Sequence, residues 1–213
     1  MNKTVTAIAA IGASVLMGIS AYASVYTRED QRTNWNMKYP VVSVEDNWNA
    51  QETINQDIMG YYNTLRIYFD QGRYYSCAGS YLVHYEDDDV LSISLYLTGY
   101  PYGANGNHTV NYDIVYDKHT GERIPLYNYV RVTTKDLEYY MGSHTYSMNG
   151  RRLNYNMLQS RTIREVPENY FLEGSGYVCV VFRPYELAAG AMGSVYIQLD
   201  PQYINYLNRK NQW

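Results

Sequence analysis

Four histidines, two cysteines and a run of three aspartates are the residues of this chain best suited to chemistry, and their spacing spells out no known site. His84, His108, His119 and His144 fall in separate segments and form no HxH, HExxH or Cys-His pattern, so no metal-ligand set is expected. His108 and Asp113 differ by an odd number of positions. That places them on opposite faces of one strand, whereas an acid/base site needs groups that converge. His84 reads as a half-buried structural residue. Asp87-Asp88-Asp89 could hold Ca²⁺ weakly, but it lacks the ligand alternation of a dedicated loop and reads as a solvated turn. Gly142-Ser143-His144 and Gly174-Ser175-Gly176 are turn chemistry, with no nucleophile elbow around either serine. No catalytic residue, metal or cofactor is expected.

Recognition has better candidates. Tyrosine supplies 27 of the 213 residues against three Phe and three Trp, so tyrosine must serve both core and surface. The loop Tyr100-Pro101-Tyr102-Gly103-Ala104-Asn105-Gly106-Asn107 sets two rigid rings among small hydrogen-bonding residues. Tyr100, Tyr102, Asn105 and Asn107 are therefore candidate binding residues, with Tyr185 and Glu186 at the Pro184 bend as a second group. Ordinary turn composition is the competing reading of both.

The chain opens with Lys3, an apolar run from Val5 to Ile19 and Ala21-Tyr22-Ala23, the form of a signal peptide cleaved before Ser24. An uncleaved anchor is the other reading, though the strongly apolar part falls short of a span. Without residues 1–23 the chain has 190 residues, enough for one domain over 24–213 or two fused lobes, 37–88 and 89–213. It would carry 16 basic and 21 acidic side chains, a formal charge of −5, which argues against nucleic acid as a partner. Export to an oxidising compartment makes Cys77–Cys179 a candidate disulfide, with two separately buried thiols as the alternative.

Elements must hold these residues in place. Met37–Val44 reads as a short strand. Asn49 with Glu52 suggests a cap for a helix to Phe69, where Ile54, Ile58, Tyr61, Leu65 and Tyr68 form an apolar stripe. Arg73–Glu86 alternates. Val90–Thr98 alternates more cleanly, with Leu91, Ile93, Leu95 and Leu97 on one face and Ser92, Ser94 and Tyr96 on the other, the pattern of a sheet with one wetted side. Further strands are expected at Thr109–Tyr116, Ile124–Tyr127, Tyr170–Leu172, Tyr177–Phe182 and Ser194–Leu199. Thr133 or Thr134 can cap a short helix to about Met141, and Asp200-Pro201 opens a closing helix. Gly142–Ser160 shows no sustained period. The expected fold is α+β: a mostly antiparallel sheet with one long helix packed on its apolar face plus one or two shorter helices.

Val90-Leu91-Ser92-Ile93, Asp117 with Thr120-Gly121-Glu122-Arg123-Ile124-Pro125-Leu126, and Phe182-Arg183-Pro184-Tyr185-Glu186-Leu187-Ala188 through Gly193 together resemble the RsiV-like extracellular domain. This domain of unknown function is shared by the anti-sigma factor RsiV and by accessory regions of secreted polysaccharide deacetylases. The resemblance runs from about Tyr39 to Asp200. It implies an exported, non-enzymatic binding module, periplasmic or at the cell surface, that engages a lysozyme-like protein or peptidoglycan through the tyrosine-rich loop. A cell-wall-active enzyme, a lysozyme-type inhibitor and a structural accessory subunit are the alternatives. Two departures stand out: Gly103-Ala104-Asn105 replaces the family's usual Gly-Ala-His, and Ala189-Gly190 replaces a Pro and an aromatic. The sigma-binding segment of RsiV has no counterpart here, and no stable membrane span is expected once the leader is removed.

Overall fold

The computed structural model describes residues 25–103 and 106–212; the leader expected over 1–23 lies outside them. The chain divides into two compact units, one taking the chain up to Ser80 together with Leu97–Thr109, the other Tyr81–Tyr96 and Val110 onward.

The first unit begins with a hairpin of β1 (Val25–Arg32) and β2 (Trp35–Val42), turned at Asn34 with φ 62° and registered from Arg32 opposite Trp35 to Val25 opposite Val42. After β2 the chain enters α1 (Trp48–Asp70) and returns as β3 (Tyr74–Glu86), which pairs with β2 in parallel, Trp35 opposite Cys77. Parallel neighbours need a long crossover, and α1 supplies it. Asn47, not Asn49, caps α1, its side chain accepting from Ala50 N at 3.1 Å. The buried stripe is Ala50, Ile54, Ile58, Tyr62 and Leu65. Tyr62 takes the place expected for Tyr61, and its hydroxyl donates to the Lys38 carbonyl at 3.3 Å. Asn55 clips the helix to the sheet through both Val42 N and Val42 O, each at 2.8 Å.

β4 (Val90–Pro101) and β5 (His108–Asp117) complete a five-stranded sheet in the order β1-β2-β3-β4-β5. In the second unit, the tight turn between β3 and β4 is closed by Asp87, whose Oδ1 accepts from Asp89 N at 3.0 Å and Val90 N at 2.7 Å. Asp117 repeats the device for the next turn, accepting from His119 N and Thr120 N ahead of Gly121 at φ 78°.

The rest of the second unit is α2 (Thr134–His144), β6 (Thr145–Ser147), β7 (Tyr170–Glu173), β8 (Tyr177–Phe182), β9 (Val195–Leu199) and α3 (Pro201–Lys210). The four strands form an antiparallel sheet in the order β6-β9-β8-β7. One face, with Leu172, Val180 and Ile197, shares a core with Leu137 and Met141 of α2 and Ile204 and Leu207 of α3. The other carries Phe171, Cys179, Val181 and Tyr196. Thr133 and Asp136 make a full capping box at α2, and Asp200 caps α3 with Pro201 in its first turn.

The described residues thus form an α+β fold of nine strands in two mostly antiparallel sheets and three α-helices, one of them long. No helix among them is long and apolar enough to cross a membrane. Beyond the cap and stripe of α1, four further expectations change. β1 is added before the first expected strand. Ile124–Tyr127 is not a strand: a single bridge joins Arg123 to Tyr116, and Pro125 leads into a 3-10 turn over Leu126–Asn128. The Ser92 and Ser94 face of β4 is not wetted; both side chains are fully buried. Cys77 and Cys179 form no disulfide. Each is a buried free thiol, Cys77 in the first unit and Cys179 in the second, packed among its own neighbours.

Candidate functional site

Tyr100 lies near the end of β4 and Tyr102 one residue beyond it, in the turn. Both meet Tyr75 of β3, at centroid distances of 6.0 Å and 5.9 Å with planes tilted by 52° and 64°. Tyr102 is 69% exposed and Tyr75 44%, while Tyr100 is half-buried. On the opposite face Gly99 makes room for Tyr74, whose ring lies so close that a Cβ there would fall 2.6 Å from Tyr74 Cε1. Tyr74 in turn meets His108 edge-on at 6.3 Å. Asn107 is exposed nearby in the loop, and Asn105 lies outside the described residues. Tyr75 is the member that sequence reading missed. Its signal is the doublet Tyr74-Tyr75 at a strand start, which alternation divides between the two faces.

Tyr185 and Glu186 occupy a different surface, in the second unit. They border a groove of about 430 Å³ whose walls also include Thr162, Ile163, Arg164 and Glu165. Tyr185 has φ 73°, a left-handed position rarely occupied by a bulky residue, and the residue is 76% exposed. Glu186 Oε2 accepts from Arg183 N at 2.7 Å, which fixes the carboxylate at the bend. The Ala189-Gly190 departure has a use here. Tyr185 lies over Gly190, where a Cβ would come within 2.0 Å of Tyr185 Cζ, so any other residue would have to displace the ring from this position.

One buried polar grouping was not legible in the sequence. His84 Nε2 lies 2.7 Å from Ser94 Oγ, and the Ser94 hydroxyl donates to Asp113 Oδ1. The second Asp113 oxygen accepts from Asn111 Nδ2 at 2.5 Å, and Asn111 Oδ1 accepts from the Ser194 hydroxyl, also at 2.5 Å. Two donor chains therefore end on one carboxylate, which is 5% exposed. Burial pushes Asp113 up to about 6 against the pull of Ser94 and Asn111, and takes His84 down to about 4. With the Ser94 proton given to Asp113, His84 must offer its Nε2–H to Ser94, and its ring stacks on Phe171 at 3.9 Å.

Serine, histidine and aspartate here are in the wrong order for nucleophilic catalysis. A triad sets the imidazole between carboxylate and hydroxyl, so that it can take the nucleophile's proton. In this core the hydroxyl stands in the middle and is fully buried, so Ser94 is a structural link rather than a nucleophile. Elsewhere in the second unit, Ser92 Oγ accepts from Leu172 N at 2.8 Å, filling a vacancy at the edge of β7. Cys77 is raised by burial to about 11, and Cys179 is raised further, by burial and by Glu173. Among the described residues no group of three His, Cys, Asp or Glu side chains is placed to hold a metal.

Solved structures share this fold, two of them DUF3298 family proteins. A DUF3298 family member from Bacteroides fragilis superposes with a TM-score of 0.57 at 12% sequence identity, covering 86% of this chain and 91% of its own. A DUF3298 family protein from Pseudomonas aeruginosa gives 0.52 at 12% identity, covering 85% of this chain and 91% of its own. No family model matches the chain. No curated protein matches it in sequence. The shared fold covers most of each molecule, and at this identity the likeness is one of architecture.

Proposed function

We propose that this protein is an exported, non-enzymatic module of the cell envelope that binds a protein partner, with a lysozyme-like protein as the leading candidate, through the tyrosine cluster of its first unit. The observation that carries the reading is the grouping of Tyr75, Tyr100 and Tyr102 on one exposed surface. Tyrosine combines large contact area, few rotatable bonds and a hydroxyl, and it is enriched where proteins recognise proteins. The rings are tilted against one another, so they offer edges and hydroxyls rather than one continuous plane. That mixed presentation suits a protein surface better than the flat face of a sugar. The resemblance to the RsiV-like domain points the same way and supplies the exported setting.

Calorimetric titration of the purified protein against a c-type lysozyme and against soluble peptidoglycan fragments tests this, alongside Tyr75→Ala, Tyr100→Ala and Tyr102→Ala. Saturable lysozyme binding weakened about tenfold or more by these changes is the expected result. Binding to peptidoglycan alone would make the cluster a wall-attachment site, and silence against both would remove the reading.

A further inference from the structure

A bulky side chain at a left-handed backbone position costs free energy, and such strain persists where the rest of the structure imposes it. Tyr185 pays that cost at φ 73° while the residue remains 76% exposed, so burial is not what offsets it. What the conformation achieves is placement. One face of the ring is seated on Gly190 and the other is left open at the border of the groove.

We propose that this groove binds a neutral saccharide, one sugar ring lying on the open face of Tyr185 with its hydroxyls taken up by Arg164, Glu165 and Glu186. A pyranose has an apolar C–H face, which a single accessible aromatic face matches, and a rim of hydroxyls that each donate and accept. The groove supplies both kinds of partner: a guanidinium that donates and two carboxylates that accept. One positive charge against two negative ones gives no attraction for phosphate or another anion, which favours an uncharged ligand. A volume of about 430 Å³ falls in the range of small-molecule sites. Glu186 is already fixed by Arg183 N, and the backbone at Tyr185 sets the ring over Gly190, which lowers the ordering left to be done on binding. This site is independent of the tyrosine cluster in the first unit and stands or falls apart from it.

Chitotetraose and cellotetraose, two neutral oligosaccharides, titrated into the purified protein and followed by calorimetry and by NMR, test the proposal. Saturable binding of at least one of them is expected, weakened about tenfold or more by Tyr185→Ala and by Gly190→Ala, which displaces the ring without removing it. Tyr185→Phe keeps the platform and should stay within about threefold of the wild type, whereas Tyr127→Ala, which removes another exposed tyrosine of the same unit, should change nothing. Circular dichroism checks that each variant is folded. If Tyr185→Ala or Gly190→Ala loses its fold, the Tyr185 ring protons of the wild-type protein decide: they should shift as the oligosaccharide saturates. Failure of both sugars to saturate, equal affinity in folded Tyr185→Ala, or saturation that leaves the Tyr185 ring unshifted overturns the proposal.

Discussion

Ser94 donates its hydroxyl proton to Asp113 in the core of the second unit, and His84 is bonded to the same hydroxyl. Folding reverses the order in which the outer two titrate. In the unfolded chain a single proton belongs to His84, with an ordinary value of 6.5 against 3.8 for Asp113; in the folded chain, with His84 at about 4 and Asp113 at about 6, it belongs to Asp113. The contribution of Asp113 to stability is full below pH 3.8 and is lost as pH rises through 6. That of His84 is full above 6.5 and is lost as pH falls through 4. Across this window the two slopes oppose and nearly cancel.

Removing either partner should expose the other. In Asp113→Asn, stability should fall relative to wild type as pH drops from 6.5 to 4, by about 1–2 kcal/mol after allowance for the partial exposure of His84. In His84→Phe it should fall by a similar amount as pH rises from 4 to 6. Urea unfolding at half-unit pH steps measures both, and curves parallel to wild type in both variants would sink the account.

Asp136 ties the start of α2 to the end of α3. Burial works against its charge, but Lys210, Thr133 and Asn211 hold the carboxyl down to about 2. Asp136→Ala should therefore cost about 3 kcal/mol and lower Tm by about 6–12 °C. Because the folded value is depressed, the stabilisation is present above pH 3.8 and is lost as pH falls toward 2, so the variant should also show a flatter acid limb. A loss below about 0.5 kcal/mol in thermal unfolding would show that the lysine contact is only a surface pair.

Both thiols should resist modification in the native state, because each is buried and its thiolate is disfavoured. A chromogenic disulfide reagent should find almost no reactive thiol in the folded protein and two per chain after denaturation without reductant. Zero after denaturation would mean the cysteines are bridged.

Replacing Gly99 by valine should drive the Tyr74 ring from its seat, on the face of the sheet opposite Tyr75 and Tyr100. We expect a loss of about 1–3 kcal/mol in denaturant unfolding, the range for overfilled sites, with changed tyrosine signals in near-ultraviolet dichroism. An unaltered spectrum would count against the close packing described.

How much of this was legible depended on whether burial leaves a periodic trace. α1 shows its Ile54–Ile58–Leu65 stripe, and Thr133, Asp200 and Pro201 mark helix starts by local chemistry alone. β1 escapes because nearly every side chain in VYTREDQR is exposed, so neither face has an apolar period. For β4, alternation correctly shows which residues share a face, but it cannot show that the serine face is buried against polar partners. Those partners are remote in the chain: Leu172 meets Ser92 across 80 positions, and Ser194 meets Asn111 across 83. The tyrosine loop was visible as composition, whereas Tyr75 and the cradle at Gly190 depended on how the strand and bend are set in space.

Among the described residues, β1 ends its sheet with an outer row of backbone groups that has no strand beyond it. Arg28, Glu29 and Arg32 stand exposed along it, and Glu29 pairs with Lys38 at 2.9 Å. An incoming chain that tried to extend this edge would have to strip water from alternating charges, which disfavours fibril growth from a tyrosine-rich β-protein. The same polarity that hid this strand from pattern reading serves as its guard against self-association.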